Sequence, residues 1–232
     1  LYITAHGIYN AYINGKKAGD FILAPGTSQY NARLQYQTYD VSGLLNVGKN
    51  EILVTVGDGW WRGDTGYGGV RNSFGTDLAI LCQLEIDRKT VLISDKSWSA
   101  SQEGPLGLND LMQGECYDAR KENICEWHPV TEKQFGYENL VCSNSFDVVE
   151  KENFIGKQIH TPNGEVVIDF GQNIAGYVKF GFYAQAGQCI TLYHGECLDQ
   201  NGNFTQENFQ APEHRVEQCV KYICKEGWNE YK

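Results

Sequence analysis

The 232-residue chain is 41% hydrophobic and 21% charged, ordinary proportions for a globular protein with room for one large or two modest domains. Its net charge is −10 with no cluster of Lys or Arg, so it lacks the basic stripe that a nucleic-acid partner requires. No apolar run approaches a membrane-spanning length and no charged-then-apolar leader opens the chain, so no membrane partner is expected.

Aromatic residues reach 12%, with 14 Tyr and 5 Trp, and there are 26 Gly. That enrichment points to an all-β protein with many turns. In chain order, residues 2–6 and 8–13 read as strands, with Asn14-Gly15-Lys16 as a hairpin turn of the Asn-Gly type. Residues 34–39 look extended, and a short helical turn over residues 40–45 is capped by Asp40. Strands follow at 51–56, 78–86 and 91–94. Between the first two of these runs a long loop, residues 57–75, with seven Gly and four aromatics. Apolar rhythm lapses over residues 128–140, which read as a linker. Strands resume at 146–149, 165–169, 176–183, 189–194 and 217–224. The expectation is two successive antiparallel β-sandwich (jelly-roll-like) units, 1–127 and 141–232, joined by 128–140.

Eight cysteines occupy positions 82, 116, 125, 142, 189, 197, 219 and 224. A chain this long needs no disulfide staples, and no C-x-x-C pair supports a structural zinc. Free thiols in a reducing, cytoplasmic compartment are expected.

The 57–75 loop carries Asp58, Trp60, Trp61, Arg62, Asp64, Tyr67, Arg71 and Asn72. A phosphate cradle would need a helix opened by small residues, and the paired tryptophans obstruct it. Aromatic faces beside Asp, Asn and Arg suit a sugar, whose C–H face stacks while its hydroxyls hydrogen-bond. The competing reading is that the tryptophans plug one end of a sandwich core. Asp58 with Asp64, or Glu115 with Asp118, could form a hydrolytic carboxylate pair, but nearness in sequence does not establish the required separation.

Asp169-Phe170-Gly171-Gln172-Asn173-Ile174-Ala175-Gly176 follows a β-branched run. Its Asp-Phe-Gly triplet lacks every companion of a kinase site. Asp169, Gln172 and Asn173 are instead expected to pin a turn or face another domain. His194-Gly195-Glu196 matches half of a zinc deaminase motif without the P-C-x-x-C half. His194 and Glu196 therefore read as hydrogen-bonding residues at a strand end. Residues 199–203 lack the spacing of a calcium loop and read as a hairpin turn.

Taken together, Tyr9-Asn10-Ala11-Tyr12-Ile13-Asn14-Gly15-Lys16, Leu23-Ala24-Pro25-Gly26, Arg33-Leu34-Gln35-Tyr36-Gln37-Thr38-Tyr39-Asp40-Val41 and Gly57-Asp58-Gly59-Trp60-Trp61-Arg62-Gly63 resemble the bacterial α-L-rhamnosidases. Gly114-Glu115-Cys116-Tyr117-Asp118-Ala119-Arg120, residues 167–176 and His194-Gly195-Glu196-Cys197-Leu198 extend the resemblance along nearly the whole chain. It implies the N-terminal and middle β-sandwich regions of an enzyme that releases terminal L-rhamnose with inversion. The family's catalytic carboxylates lie in a downstream (α/α)6 barrel, so the resemblance implies a non-catalytic fragment whose partners are that barrel and, through the parent, rhamnose-containing carbohydrate. A free-standing carbohydrate-binding module and a purely bracing domain are the alternatives. Some members bind rhamnose with calcium in the N-terminal sandwich. Here residues 27–39 hold no acid, so no cofactor is expected, calcium being the one candidate the resemblance raises.

Overall fold

The structure, a computed structural model, describes residues 1–123 and 126–231. In chain order the strands begin with β1 (Tyr2–His6), β2 (Ile8–Ile13), β3 (Lys16–Lys17), β4 (Leu34–Thr38) and β5 (Ile52–Gly57). A single helical turn, α1 (Gly59–Arg62), precedes β6 (Ala79–Ile86), β7 (Lys89–Ile93), β8 (Ser99–Ala100), β9 (Leu106–Asp110) and β10 (Gly114–Asp118). Then come β11 (His128–Pro129), β12 (Leu140–Cys142), β13 (Lys157–His160) and β14 (Val166–Asp169). The last are β15 (Phe180–Ala184), β16 (Cys189–Tyr193), β17 (Cys219–Ile223) and β18 (Gly227–Tyr231). The all-β expectation holds.

Two compact units result. The first comprises Leu1–Gly66, Val70–Gln102 and Cys125–Glu150, and the second Tyr67–Gly69, Glu103–Ile124 and Lys151–Lys232. This division differs from the expected 1–127, 128–140 and 141–232. Residues 128–140 are no linker: His128 pairs with Ala100, and Leu140 opens β12 beside Leu34. Strands β9 and β10 belong to the second unit because β10 runs parallel to β17, Gly114 facing Cys219. Pairing across about a hundred residues leaves no compositional mark in the chain.

In the first unit a five-stranded sheet, ordered β12-β4-β1-β6-β7, packs on a three-stranded one, β3-β2-β5. Strand alternation explains the core: Ile3 and Ala5 of β1 and Cys82 and Leu84 of β6 point inward to meet Tyr9, Ala11 and Ile13 of β2. The Tyr9 hydroxyl, buried among them, donates to Gln37 Oε1 at 2.8 Å, and burial drives its pKa far above that of a free phenol. Asn14 and Gly15 both adopt left-handed φ, 51° and 76°, as the Asn-Gly hairpin turn between β2 and β3 demands. Asp40 Oδ1 accepts from the Ser42 amide and hydroxyl ahead of a 3-10 turn at Ser42–Leu44.

The second unit is built on the four-stranded sheet β16-β17-β10-β9 and the pairs β13-β14 and β15-β18. Its core is aromatic. Tyr222 is fully buried, stacked on Tyr117 at 5.5 Å, and edge-on to Phe180 and Tyr231. Desolvation raises the Tyr222 pKa to about 12. The expected strand at 146–149 is not part of any ladder, although Val148 O accepts from Ile22 N, and the one expected at 176–183 is paired only from Phe180 onward. Their alternation is that of strands, but pairing also needs a partner edge. Seven described cysteines are free; Cys125 lies outside the described residues.

Candidate functional site

The 57–75 loop is organised by a buried carboxylate. Asp58 follows the end of β5 at Gly57, and its Oδ1 accepts from Arg62 Nε at 2.8 Å while Oδ2 accepts from an Arg71 guanidinium nitrogen at 2.9 Å. Both oxygens are thus committed to charge-assisted bonds that close the loop on itself. Trp61 is buried, its ring stacked on His6 at 3.7 Å and edge-on to Tyr30, and its Nε1 donates to the Asp77 carbonyl at 3.0 Å. A Cβ at Gly75 would stand 2.7 Å from this indole, so glycine is what lets the ring lie flat there. Trp60 is half-buried against the same cluster and Asp64 is buried. Tyr67 is exposed and groups with the second unit. Asn72, at φ 58°, donates its amide to the Arg62 carbonyl. Of the eight candidates for sugar contact, the structure brings Asp58, Arg62 and Arg71 together as partners of one another, and it uses Trp61 as a plug.

The plug creates a pH dependence. The His6 ring is sandwiched between Trp61 and the edge of Phe135, its Nδ1 has no hydrogen-bond partner among the described residues, and burial lowers its pKa below 6.5. With the folded pKa below the unfolded one, the unfolded chain binds the extra proton first. Stability is then fully present above 6.5 and is lost as pH falls through that value toward the folded pKa. Thermal melts between about pH 8 and pH 5 should show this slope, and His6→Phe, which keeps a flat ring, should remove the part due to His6. An unchanged slope in that variant would assign it elsewhere.

Several of the other candidates make local hydrogen bonds. Asp169 Oδ1 accepts from the Gly171 amide at 2.7 Å, while Gln172 and Asn173 are exposed. His194 Nδ1 lies 3.0 Å from the Gln218 carbonyl, which can only accept, so that nitrogen carries the proton. Glu196 accepts from Asn208 at 2.8 Å. Glu115 takes bonds from Asn109 and from the Tyr231 hydroxyl, and Asp118 takes a forked pair from Arg120 that holds its pKa low. Among the described residues no group of three or more His, Cys, Asp or Glu could hold a metal, and no helix is long and apolar enough to cross a membrane.

A separate feature lies on the outer face of the five-stranded sheet. Inward Ile3 and Cys82 leave Tyr2, Thr4, Leu81 and Gln83 on the opposite face, by the two-residue period of a strand. The Trp61 cluster covers the end of this face at His6, the last residue of β1. The rest is a groove of about 380 Å3. Tyr36 and Ile93 continue its lining, with Tyr137 and Glu85 beside them.

A family model described as the alpha-L-rhamnosidase N-terminal domain matches residues 1–153. The chain belongs to the α-L-rhamnosidase family. A second model, the bacterial alpha-L-rhamnosidase concanavalin-like domain, matches residues 159–231. An alpha-L-rhamnosidase of Streptomyces avermitilis is 33% identical over 91% of this chain and 22% of its own length, and one of Formosa agariphila is 30% identical over 91% and 24%. The crystal structure of the native enzyme from Aspergillus terreus superposes with a TM-score of 0.90 at 33% identity, covering 100% of this chain and 28% of that one. The Streptomyces avermitilis enzyme complexed with L-rhamnose gives 0.89 at 30% identity, covering 100% and 23%. The chain therefore spans about a quarter of the length of the rhamnosidases it matches. The paired tyrosines of the groove escaped the sequence reading, although Tyr2, Thr4, Leu81 and Gln83 sit at the outward positions of strands that it had placed. What was missing was the pairing that sets β1, β4 and β6 side by side.

Proposed function

We propose that this chain is the non-catalytic β-sandwich portion of an α-L-rhamnosidase-like glycoside hydrolase whose complete protein releases terminal α-L-rhamnose with inversion. The observation that carries this reading is the succession of two rhamnosidase domain models along 1–153 and 159–231. The side chains agree with it. An inverting hydrolase needs one carboxyl to protonate the leaving oxygen and a second to activate water. Three of the four carboxylates suggested for those roles are occupied: Asp58 by two arginines, Glu115 by Asn109 and Tyr231, and Asp118 by Arg120. On this reading the general acid and base belong to a part of the parent outside residues 1–232.

The test is direct. The purified 232-residue chain should release nitrophenol from 4-nitrophenyl α-L-rhamnopyranoside no faster than buffer does. Turnover that disappears in Asp58→Asn or Glu115→Gln would place the hydrolytic centre inside this chain and end the proposal.

A further inference from the structure

We propose that the groove on the outer face of the five-stranded sheet binds a methylated ammonium ion. At about 380 Å3 it falls in the size range of small-molecule sites. Tyr2 and Tyr36 meet there edge to face, centroids 6.2 Å apart and planes at 65°. Two rings at that angle wall a corner, and the face of each carries the negative side of its quadrupole. A cation seated in the corner is attracted by both. Tyr137 adds a third ring and is 66% exposed at the rim.

Register brings a carboxylate to these rings. Tyr2 faces Gln83 across β1 and β6, at a cross-strand spacing of about 5 Å. Gln83 Nε2 in turn donates to Glu85 Oε1 at 2.8 Å, so the amide anchors the carboxylate beside the ring and leaves Oε2 for a ligand. Glu85 is half-buried. Its charge is therefore less screened by water than that of a fully solvated acid and attracts a cation more strongly.

Charge and polarity select the ligand class. Among the described residues the lining contains no Lys, Arg or His, and its one formal charge is Glu85. The Leu1 ammonium donates to the Tyr39 carbonyl and is not part of the lining. A phosphate or carboxylate ligand would meet repulsion without a compensating cation. A primary ammonium carries three N–H donors, each of which needs an acceptor once water is stripped away. Leu81, Ile93 and Leu140 offer aliphatic contact instead, which N-methyl groups satisfy and N–H groups do not. The net charge of −10 also favours the approach of a cation over an anion. A methylated nitrogen meets the ring faces, the carboxylate and the apolar wall together. The inference goes beyond the hydrolase reading and does not depend on it.

The experiment is a titration of the isotope-labelled 232-residue chain with choline chloride, followed by two-dimensional NMR. The controls are ammonium chloride at equal ionic strength and 3,3-dimethylbutan-1-ol, which keeps the shape of choline without its charge. Saturable shifts at the Gln83 side-chain amide and around Tyr2 and Tyr36 are expected for choline, with a dissociation constant roughly in the millimolar range. The uncharged alcohol should bind about tenfold more weakly or not at all. Glu85→Gln should also weaken choline binding about tenfold, Tyr137→Ala by a smaller factor, and Tyr67→Ala on the 57–75 loop should leave it unchanged. Absence of groove shifts with choline overturns the proposal. So does equal binding of the alcohol or of ammonium, either of which would show that the groove does not recognise a methylated cation. That comparison uses the unmodified chain, so it decides the matter even where a variant fails to fold.

Discussion

Replacing Trp61 with alanine should destabilise the first unit by about 3–5 kcal/mol, measured by urea unfolding. Three losses combine. The cavity removes the stack on His6 and the edge contact with Tyr30. The Asp77 carbonyl loses its indole donor. Gly75, whose missing Cβ makes room for the ring, would then border empty space. Trp60, beside it in sequence but only half-buried, should cost less when truncated, about 1–2 kcal/mol. The contrast is the informative part. Equal effects at both positions, or a loss below about 1 kcal/mol at Trp61, would mean that the indole does not close this end of the unit.

Asn229→Ala should be as damaging in the second unit, at about 3 kcal/mol or more. The side chain is fully buried. Its Oδ1 accepts from the Lys225 amide at 3.0 Å and from the Tyr222 hydroxyl at 3.2 Å, while Nδ2 donates to the carbonyls of Lys225 and Gly227. One amide thus satisfies four groups at the turn that joins β17 to β18. Each group left unpaired while buried costs about 1–3 kcal/mol, reduced wherever water can enter. Asn229→Asp separates shape from hydrogen bonding: it keeps the volume but sets a carboxylate against two carbonyl oxygens. Chemical unfolding should show that variant weakened at neutral pH and partly recovering as acid protonates the new carboxyl. A wild-type midpoint in either variant would show that the turn does not depend on this amide.

Much of the fold was legible because the signals are local. Ile8–Ile13 is rich in strand-forming residues and is followed by Asn14-Gly15, so the hairpin could be read from a few residues. The boundaries between units were not legible. His128–Pro129 and Leu140–Cys142 look like loop in sequence and become strands only because Ser99–Ala100 and Leu34–Thr38 offer them edges. The candidate loop was legible as a cluster of interesting residue types, but residue type does not say who satisfies whom. Asp58 reads equally well as a sugar ligand or as an arginine acceptor until Arg62 and Arg71 are seen to take both of its oxygens.

By itself the sequence determined the all-β class, several strands and the family, since composition, alternation and ordered motifs are properties of the chain. Only the tertiary structure decided the unit boundaries, the occupation of the loop's charges by one another, the role of Trp61 as a plug, and the groove between Tyr2, Tyr36 and Gln83. Each of these depends on which strands lie side by side. That choice is made by burial and pairing energies summed over residues far apart in the chain, and it leaves no local mark on any one of them.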